Sequence, residues 1–320
     1  MKPVSADQSA LGERPGTIGE TSVMDVHWLA AIPSPPSSVL EIGPLKLHAY
    51  GLIIALGAIA ATWLVGRRLE ARKLGTRDDA SAVAMWALPA GIIGARVYYV
   101  SAFWEQYAGR PLEIVKIWKG GLAIFGGLLV GTIVGLAVAK RRGLPIAESL
   151  TVVAPALPLA QAIGRFGNWF NQELFGRATT LPWGLEIDDK HLPDGFASGT
   201  LFHPTFLYES LGNLLLFAIL LQVDRRARLR PGQLFVVYTA GYATLRFLVE
   251  MLRIDPSKVA VGLRLNQWTA VVVFVSSVVL FIVWRPRPAH GRAAPGDGVG
   301  SAAASPNSPD APQDLPARPE

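Results

Sequence analysis

A series of apolar stretches, each about 17–20 residues long and nearly free of charge, limits the folds open to this chain. A helix of that length spans the roughly 30 Å of hydrocarbon in a bilayer. Because lipid offers no hydrogen-bond partners, a chain that crosses it repeatedly must satisfy its backbone internally, as α-helices do. The pattern predicts an all-α, polytopic bundle of about seven transmembrane helices, at residues 47–66, 83–103, 121–139, 148–169, 206–223, 232–252 and 266–284.

The two ends of the chain differ in composition from the segment between them. Residues 1–40 form a polar lead with Pro and Ser, which predicts an extracytoplasmic arm that is disordered or lies on the surface. Residues 286–320 are rich in Pro, Ala, Gly and Ser and lack the apolar residues of a core, which predicts a disordered cytoplasmic tail. We therefore expect residues 41–285 to form the seven-span domain that carries any catalytic site.

The distribution of Lys and Arg between the loops predicts the orientation of the bundle. Fifteen lie in the loops after the first, third, fifth and seventh spans, against eight in the longer loops on the other side. Since loops rich in Lys and Arg stay in the cytoplasm, the N-terminus is predicted outside and the C-terminus inside. The same bias accounts for the net charge of +6, so we expect no nucleic-acid partner. The chain has no cysteine, which excludes disulfides and a thiol nucleophile of its own.

Ionisable side chains inside the predicted spans are the first candidates for a functional site. Each costs about 2.5–3.5 kcal/mol on insertion scales, so a chain retains it for a reason. In the predicted orientation, all of them lie towards the outer face. An alternative stays open, in which they pair with each other only to lock the bundle, as Glu250 could with Arg246 or Arg253. The embedded residues are Arg96, Arg165, Glu209, Arg246 and Glu250.

Several arginines at one depth favour an anionic ligand, above all a phosphate. The guanidinium group matches phosphate oxygens bidentately and keeps its charge. In the outer leaflet such a phosphate is most simply a phospholipid headgroup, because basic pockets between spans bind headgroups. Membrane lipids are therefore predicted partners.

The densest polar segment covers residues 164–177, at the end of the fourth predicted span. If the helix continues through Asn168, then Arg165 and Asn168 share a face at i, i+3. Asn171, Glu173 and Arg177 follow near the membrane interface. The glycines of the third predicted span have a simpler interpretation as a stripe of small residues for helix packing, at Gly127, Gly131 and Gly135.

Residues 164–177 resemble the signature of the prolipoprotein diacylglyceryl transferases of the bacterial plasma membrane. The resemblance covers roughly residues 32–284, and its first segment is highly specific. Further matches follow in the same order along the chain, at His48-Ala49-Tyr50-Gly51-Leu52, Gly94-Ala95-Arg96, residues 120–127, residues 203–209 and Gly241-Tyr242 with Arg246, Glu250 and Arg253.

The resemblance implies a reaction between a lipid and a protein. The diacylglyceryl group of phosphatidylglycerol moves to the lipobox cysteine thiol of a preprolipoprotein, a thioether forms, and glycerol 1-phosphate leaves. No metal or organic cofactor is expected. The resemblance implies Arg165, Arg246 and Tyr50 as catalytic residues, with His203 and Glu209 as further candidates. It implies substrate binding by Arg165, Asn168, Gly176, Arg246, Arg96, Asn171, Glu173, Tyr242 and Glu250.

The group that takes the thiol proton stays open in the sequence. Many family members carry a histidine where this chain has Phe125, and Phe125 cannot accept a proton. Three other groups are candidates, His203, Glu209 and His48. A thiol has an ordinary pKa near 8.5, so a positive field from the arginines is a further way to raise its thiolate fraction.

Two other functions fit a bundle with embedded charges. A transporter or flippase of an anionic amphiphile would use such residues along a path, yet transporters place their site near the midplane and show internal repeats. The chain shows no convincing repeat, and its polar residues are biased outward. A structural or receptor-like seven-span protein leaves the cluster of residues 165–177 unexplained.

Overall fold

The computed structural model of the chain describes residues 31–43 and 45–284. The predicted tail at 286–320 and the first 30 residues of the predicted arm lie outside the described residues. Within them, nearly all regular structure is helical, and three short two-stranded sheets lie between the helices. The all-α prediction for the bundle is confirmed.

Six stretches of helix among the described residues are long and apolar enough to cross a membrane. They are α1 (Ala49–Ala71), α2 (Arg77–Ala102), α3 (Ile124–Arg141), the run from Ile146 to Asn171, α7 (Thr205–Arg226) and α9 (Leu265–Val283). The predicted span at 232–252 is also a helix, α8 (Gln233–Glu250), which packs against both α7 and α9. It carries the polar residues Gln233, Arg246 and Glu250 along its length.

The predicted span at 148–169 is confirmed by the helical run from Ile146 to Asn171, which is divided into three segments. The run consists of α4 (Ile146–Val153), α5 (Ala156–Gly164) and α6 (Phe166–Asn171). The first break falls at Pro155, whose ring removes a backbone donor. The second is slight, because Arg165 between α5 and α6 keeps helical dihedral angles, with φ −63° and ψ −25°. After α6 ends at Asn171, Gln172 has a left-handed φ of 51°.

Small residues bring α2 and α3 into close contact, and these two helices form the most extensive helix pair of the bundle. A methyl group on Gly127 would lie 3.2 Å from the carbonyl oxygen of Gly91, and one on Gly131 would lie 3.2 Å from that of Ala87. The predicted packing role of the glycine stripe is confirmed, because a side chain here would push the helices apart.

The loops rich in Lys and Arg meet at one end of the bundle. Asp224 at the end of α7 pairs with Arg68 at 2.9 Å and with Arg72 at 2.6 Å. Arg142, after α3, pairs with Asp79 at the start of α2, at 3.2 Å. Within the described residues, the predicted basic loops after α1, α3 and α7 therefore occupy the same end, as an alternating topology requires, while the basic residues predicted after α9 lie outside them.

The opposite end carries a small head built from the residues between α6 and α7. Its core consists of buried apolar side chains that β3 (Leu185–Glu186) and β4 (Leu201–Phe202) help to align. The chain before β1 (Val39–Ile42) and β2 (Leu45–His48) lies on this head, since Ile32 exchanges backbone hydrogen bonds with Gly184 and Glu186. The head core comprises Phe175, Leu185, Ile187, Phe202 and Phe206.

We predict that Gly126→Ala destabilises the protein by about 3 kcal/mol, because the new methyl group overlaps the backbone of Gly94 and α2 must move away from α3. Gly51→Ala is the matched control. Gly51 lies in α1, and a methyl group added there would meet nothing within 4 Å, so alanine should preserve or slightly raise stability. The midpoint of thermal unfolding in detergent micelles measures both variants, and equal midpoints would contradict the close α2–α3 contact.

Candidate active site

A carboxylate between two arginines forms the centre of the polar cluster at the head end. Arg165 Nη2 lies 2.5 Å from Glu209 Oε2, and Arg246 Nη1 lies 3.6 Å from Glu209 Oε1. The Glu209 side chain is only 4% exposed, whereas the two arginine side chains are 20% and 19% exposed. Three segments far apart in sequence thus deliver their charges to one place: the α5–α6 junction, the first turns of α7 and the last turn of α8.

A second buried carboxylate, Glu250, holds Arg246 from the other side. Arg246 Nη2 lies 2.7 Å from Glu250 Oε2, which is the i, i+4 pair that the sequence left open as a possibility. Arg264 Nε and Asn266 Nδ2 each lie 3.1 Å from Glu250 Oε1. Glu250 therefore joins the end of α8 to the start of α9.

The network continues towards the surface through Arg264, which pairs with both Glu250 and Asp255. Its Nη1 also donates to the carbonyl oxygen of Arg253 at 2.6 Å. Arg253 does not form the possible pair with Glu250, because its Nε binds Asp255 at 2.6 Å.

The cluster carries more positive than negative charge. Its ion-paired groups, counted among the described residues, are four guanidinium groups and three carboxylates, which leaves an excess of one positive charge among those groups. A further carboxylate, Glu173, is exposed to solvent and reaches the cluster only through Asn168. In a partly buried site such an excess favours binding of an anion.

Asn168 and Glu173 determine where Arg165 points. Arg165 Nη1 donates to Asn168 Oδ1 at 3.4 Å, and Asn168 Nδ2 donates to Glu173 Oε1 at 2.9 Å. Asn171 Nδ2 also donates to Glu173 Oε1, at 3.3 Å. The predicted shared face of Arg165 and Asn168 is confirmed, and the buried Asn168 links the exposed Glu173 to the guanidinium group.

Two glycines allow neighbouring groups to approach the cluster. A methyl group on Gly167 would lie 2.7 Å from the ring of Tyr50, so glycine alone lets that ring pack against α6, within electrostatic range of Arg165. A methyl group on Gly176 would lie 2.7 Å from Cβ of His203. The Gly176 backbone N–H donates to the His203 carbonyl oxygen at 2.9 Å, which ties the loop after α6 to the start of α7.

His203 belongs to the head and is held there by an aromatic chain. Trp183 Nε1 donates to Tyr208 Oη at 3.2 Å, and Tyr208 Oη lies 3.2 Å from His203 Nδ1. In the tautomer in which Tyr208 donates to Nδ1, His203 carries its proton on Nε2. Burial and the nearby charge of Arg177 lower the pKa of His203, which makes the ring a weaker proton acceptor.

Arg96 lies apart from the central ion pairs, although the sequence places it among the candidate binding residues. The buried guanidinium group donates to four backbone carbonyl oxygens at 2.6–2.9 Å. It therefore anchors the connection between α2 and α3. The four acceptors belong to Glu113, Ile114, Gly120 and Gly121.

Two further candidates lie beside the cluster rather than within its ion pairs. Tyr242 stacks on Tyr238, with 6.1 Å between ring centroids, one turn of α8 before Arg246. His48 is exposed at the N-terminal end of α1. His48 therefore lies at the head end of α1 and Tyr242 near the middle of α8, and neither forms an ion pair with the arginines among the described residues.

Arg264 and Asn266 belong to the cluster, and sequence reasoning missed both. In the sequence, Arg264 entered only the count of basic residues in the outer loops. Its position directly before an uncharged span is the one feature of the sequence that could have marked it as a site residue. The pairing with Glu250 depends on how α8 and α9 pack, which periodicity does not encode.

Comparison with known proteins matches residues 37–283 to the family model described as prolipoprotein diacylglyceryl transferase. The chain belongs to this family. It is 45% identical over 258 residues to phosphatidylglycerol–prolipoprotein diacylglyceryl transferase 2 of Streptomyces coelicolor, covering 80% of this chain and 81% of that one. The corresponding transferases of Rhodococcus jostii and Corynebacterium efficiens are 43% and 42% identical, covering 88% and 86% of this chain and 82% and 88% of theirs.

In this member of the diacylglyceryl transferase family, Phe125 lies in the first turn of α3 with 64% of its surface exposed. A phenyl ring there neither donates nor accepts a proton, and its exposure on a membrane-spanning helix is that of a lipid-facing side chain. Phe125 itself is therefore excluded as a proton acceptor.

We predict that Glu250→Gln lowers the stability of the bundle by about 3 kcal/mol, because Arg246 and Arg264 then face each other without the buried carboxylate between them. Glu41→Gln is the matched control, since Glu41 pairs with Lys46 at 2.9 Å on the exposed surface. Exposed pairs contribute little, so the midpoint of that variant should hardly change. Thermal unfolding measures both, and a Glu250→Gln midpoint as high as that of the parent would refute the role of the carboxylate.

Proposed function

We propose that this chain transfers the diacylglyceryl group of phosphatidylglycerol to the lipobox cysteine thiol of preprolipoproteins, the first step of lipoprotein maturation. The thiol sulfur attacks the glyceryl carbon that carries the phosphate, a carbon–sulfur bond forms, and the carbon–oxygen bond breaks. The electron pair of that bond leaves with glycerol 1-phosphate. The names of the relatives supply the donor and the acceptor, and the convergence of Arg165 and Arg246 on one carboxylate carries the assignment.

Arg165 and Arg246 are proposed to bind the phosphate of the lipid. Both guanidinium groups are about one-fifth exposed, so they can be reached from the head end, while the carboxylates that hold them are buried. The leaving phosphate gains negative charge as the carbon–oxygen bond breaks, and fixed cations stabilise that charge most strongly in a site with little water. Asn168 and Glu173 keep Arg165 in place, and Glu250 does the same for Arg246.

Glu209 is proposed as the acceptor of the thiol proton. Of the candidate bases, it is the carboxylate that lies between the two arginines, whereas His203 is fixed in the head by Tyr208. A bound phosphate competes with Glu209 for the same guanidinium groups. That competition frees a carboxylate oxygen for the proton and leaves the thiolate in a positive field, which favours its charged form.

The cluster is proposed to face the extracytoplasmic side of the bacterial plasma membrane. The loops rich in Lys and Arg lie at the end of the bundle opposite the head, and the positive-inside rule assigns that end to the cytoplasm. The exposed parts of the head and of residues 31–38 then meet the preprolipoprotein outside, while phosphatidylglycerol reaches the arginines from the outer leaflet.

Transport of an anionic amphiphile is not favoured. Arg165, Glu209 and Arg246 all lie near helix ends on the head side, where α5 ends, α7 begins and α8 ends. Transporters hold their substrate near the bilayer midplane between symmetric halves. A site at one end of the bundle suits a reaction between a lipid and a water-exposed peptide.

We predict that Arg165→Ala and Arg246→Ala each reduce transfer at least about a hundredfold, because each removes a cation that stabilises the leaving phosphate. Transfer from radiolabelled phosphatidylglycerol to a lipobox peptide, in liposomes containing purified enzyme, provides the measurement. Arg110→Ala is the matched control: Arg110 is exposed in the loop after α2 and should be dispensable. Near-parental transfer by either site variant, with normal insertion, would overturn the phosphate assignment.

We also predict that single cysteines report the proposed orientation, which the natural absence of cysteine makes simple to test. Gln106→Cys, in the exposed loop after α2, should react with a membrane-impermeant maleimide added to intact cells. Arg141→Cys, exposed at the basic end of α3, should react only after the membrane is permeabilised. The reverse pattern would place the cluster in the cytoplasm and exclude the proposed side of the reaction.

A further inference from the structure

A second layer of buried polar side chains lies one helical turn below the central ion pairs. On α5, Gln161 precedes Arg165 by four residues, and on α7, Asn213 follows Glu209 by four residues. Because α5 runs towards the head and α7 runs away from it, both residues lie about 6 Å deeper in the bundle. The proposed reaction assigns no role to either of them.

The packing of three helices brings this deeper layer together. Ser210 Oγ on α7 donates to the carbonyl oxygen of Ala162 on α5, at 3.0 Å. Gln161 Nε2 on α5 donates to Tyr238 Oη on α8, also at 3.0 Å. The helices α5, α7 and α8 therefore meet at the depth of Gln161, and Asn213, which is fully buried, lies on the same part of α7.

Each amide nitrogen donates a hydrogen bond to a described residue, whereas each amide oxygen accepts none. Asn213 Nδ2 donates to the backbone oxygen of Glu209 at 2.8 Å, as Gln161 Nε2 does to Tyr238. Gln161 Oε1 and Asn213 Oδ1 are buried atoms that accept no hydrogen bond from any described residue. Buried acceptors of this kind are rare because they lose their interaction with water, so they indicate a donor from outside the chain.

A buried donor without an acceptor lies in the layer above. Arg246 Nη1 is 3.6 Å from Glu209 Oε1, beyond hydrogen-bond distance, and donates to no other described residue. The two layers together present one cationic donor and, about one turn deeper, two neutral acceptors. The complementary ligand has an anionic oxygen and, a few bonds away, hydroxyl groups that donate.

We infer that Gln161 and Asn213 bind the hydroxyl groups of the glycerol headgroup and so select phosphatidylglycerol among phospholipids. The inference rests on the proposed function, since it places the phosphate at Arg165 and Arg246. The three-carbon headgroup then reaches down to the two amide oxygens. A headgroup that ends in an ammonium is disfavoured, because the ion-paired cluster above already carries an excess positive charge.

The test compares two donor lipids that differ only in the headgroup hydroxyls. Phosphatidylglycerol and phosphatidylpropanol, with a propyl headgroup of the same length, are supplied separately to purified enzyme in liposomes, and kcat/KM is measured for each. The parent should prefer phosphatidylglycerol by about tenfold or more, as expected for hydrogen bonds to two buried acceptors. Gln161→Met and Asn213→Ala should each reduce that preference by about three- to tenfold, through a lower kcat/KM for phosphatidylglycerol alone.

Ser149→Ala is the matched control. Ser149 Oγ is likewise a buried atom without a partner among the described residues, but it lies on α4 near the basic end of the bundle. This variant should keep the parental preference.

Each other outcome has a definite meaning. A parent enzyme without preference, or variants that lower kcat/KM equally for both donors, would overturn the selectivity inference and leave the deeper layer as a structural or hydrated one. A parent enzyme that transfers from neither lipid would instead refute the proposed function. The thermal midpoints of Gln161→Met and Asn213→Ala separate a change of selectivity from a loss of folded enzyme.

Discussion

One buried carboxylate, Glu209, holds two arginines from different segments of this membrane bundle. A guanidinium group in the membrane is costly unless it is paired, and a buried carboxylate is costly for the same reason. The pairing of Arg165 and Arg246 with Glu209 compensates for both costs and brings the α5–α6 junction, α7 and α8 to a common point. The same groups that stabilise the bundle here form the proposed anion site, because the guanidinium groups of the cluster outnumber its carboxylates.

The helical run from Ile146 to Asn171 brings Arg165 to the head end of the bundle. Arg165 lies between α5 and α6, and Asn168 and Glu173, which follow it in sequence, hold its guanidinium group. The exposed side of Arg165 is thereby left open towards the head, where lipid and peptide can meet.

Local patterns predicted much of this structure, whereas contacts between distant segments escaped prediction. Length and apolarity predicted the spans, small residues predicted the α2–α3 contact, and helical spacing left open the pair of Arg246 with Glu250 as a possibility. Arg96 was grouped with the other embedded arginines only because of its predicted depth in the membrane. In the structure its guanidinium group donates to backbone carbonyls of the loop after α2. Arg264 reaches Glu250 only because α9 packs beside α8. The boundary between α5 and α6 at Arg165 was not predicted either, because no proline marks it in the sequence.

The distances from the lipid phosphorus to the arginine Cζ atoms show whether both guanidinium groups bind the phosphate. Solid-state NMR between ³¹P of phosphatidylglycerol and ¹³Cζ of labelled arginine measures these distances in liposomes. We expect two arginine carbons at about 4 Å from phosphorus, as in charge-assisted guanidinium–phosphate pairs, and the loss of one contact in each of Arg165→Lys and Arg246→Lys. Arginine–phosphorus contacts that survive unchanged in both variants would contradict the shared phosphate site.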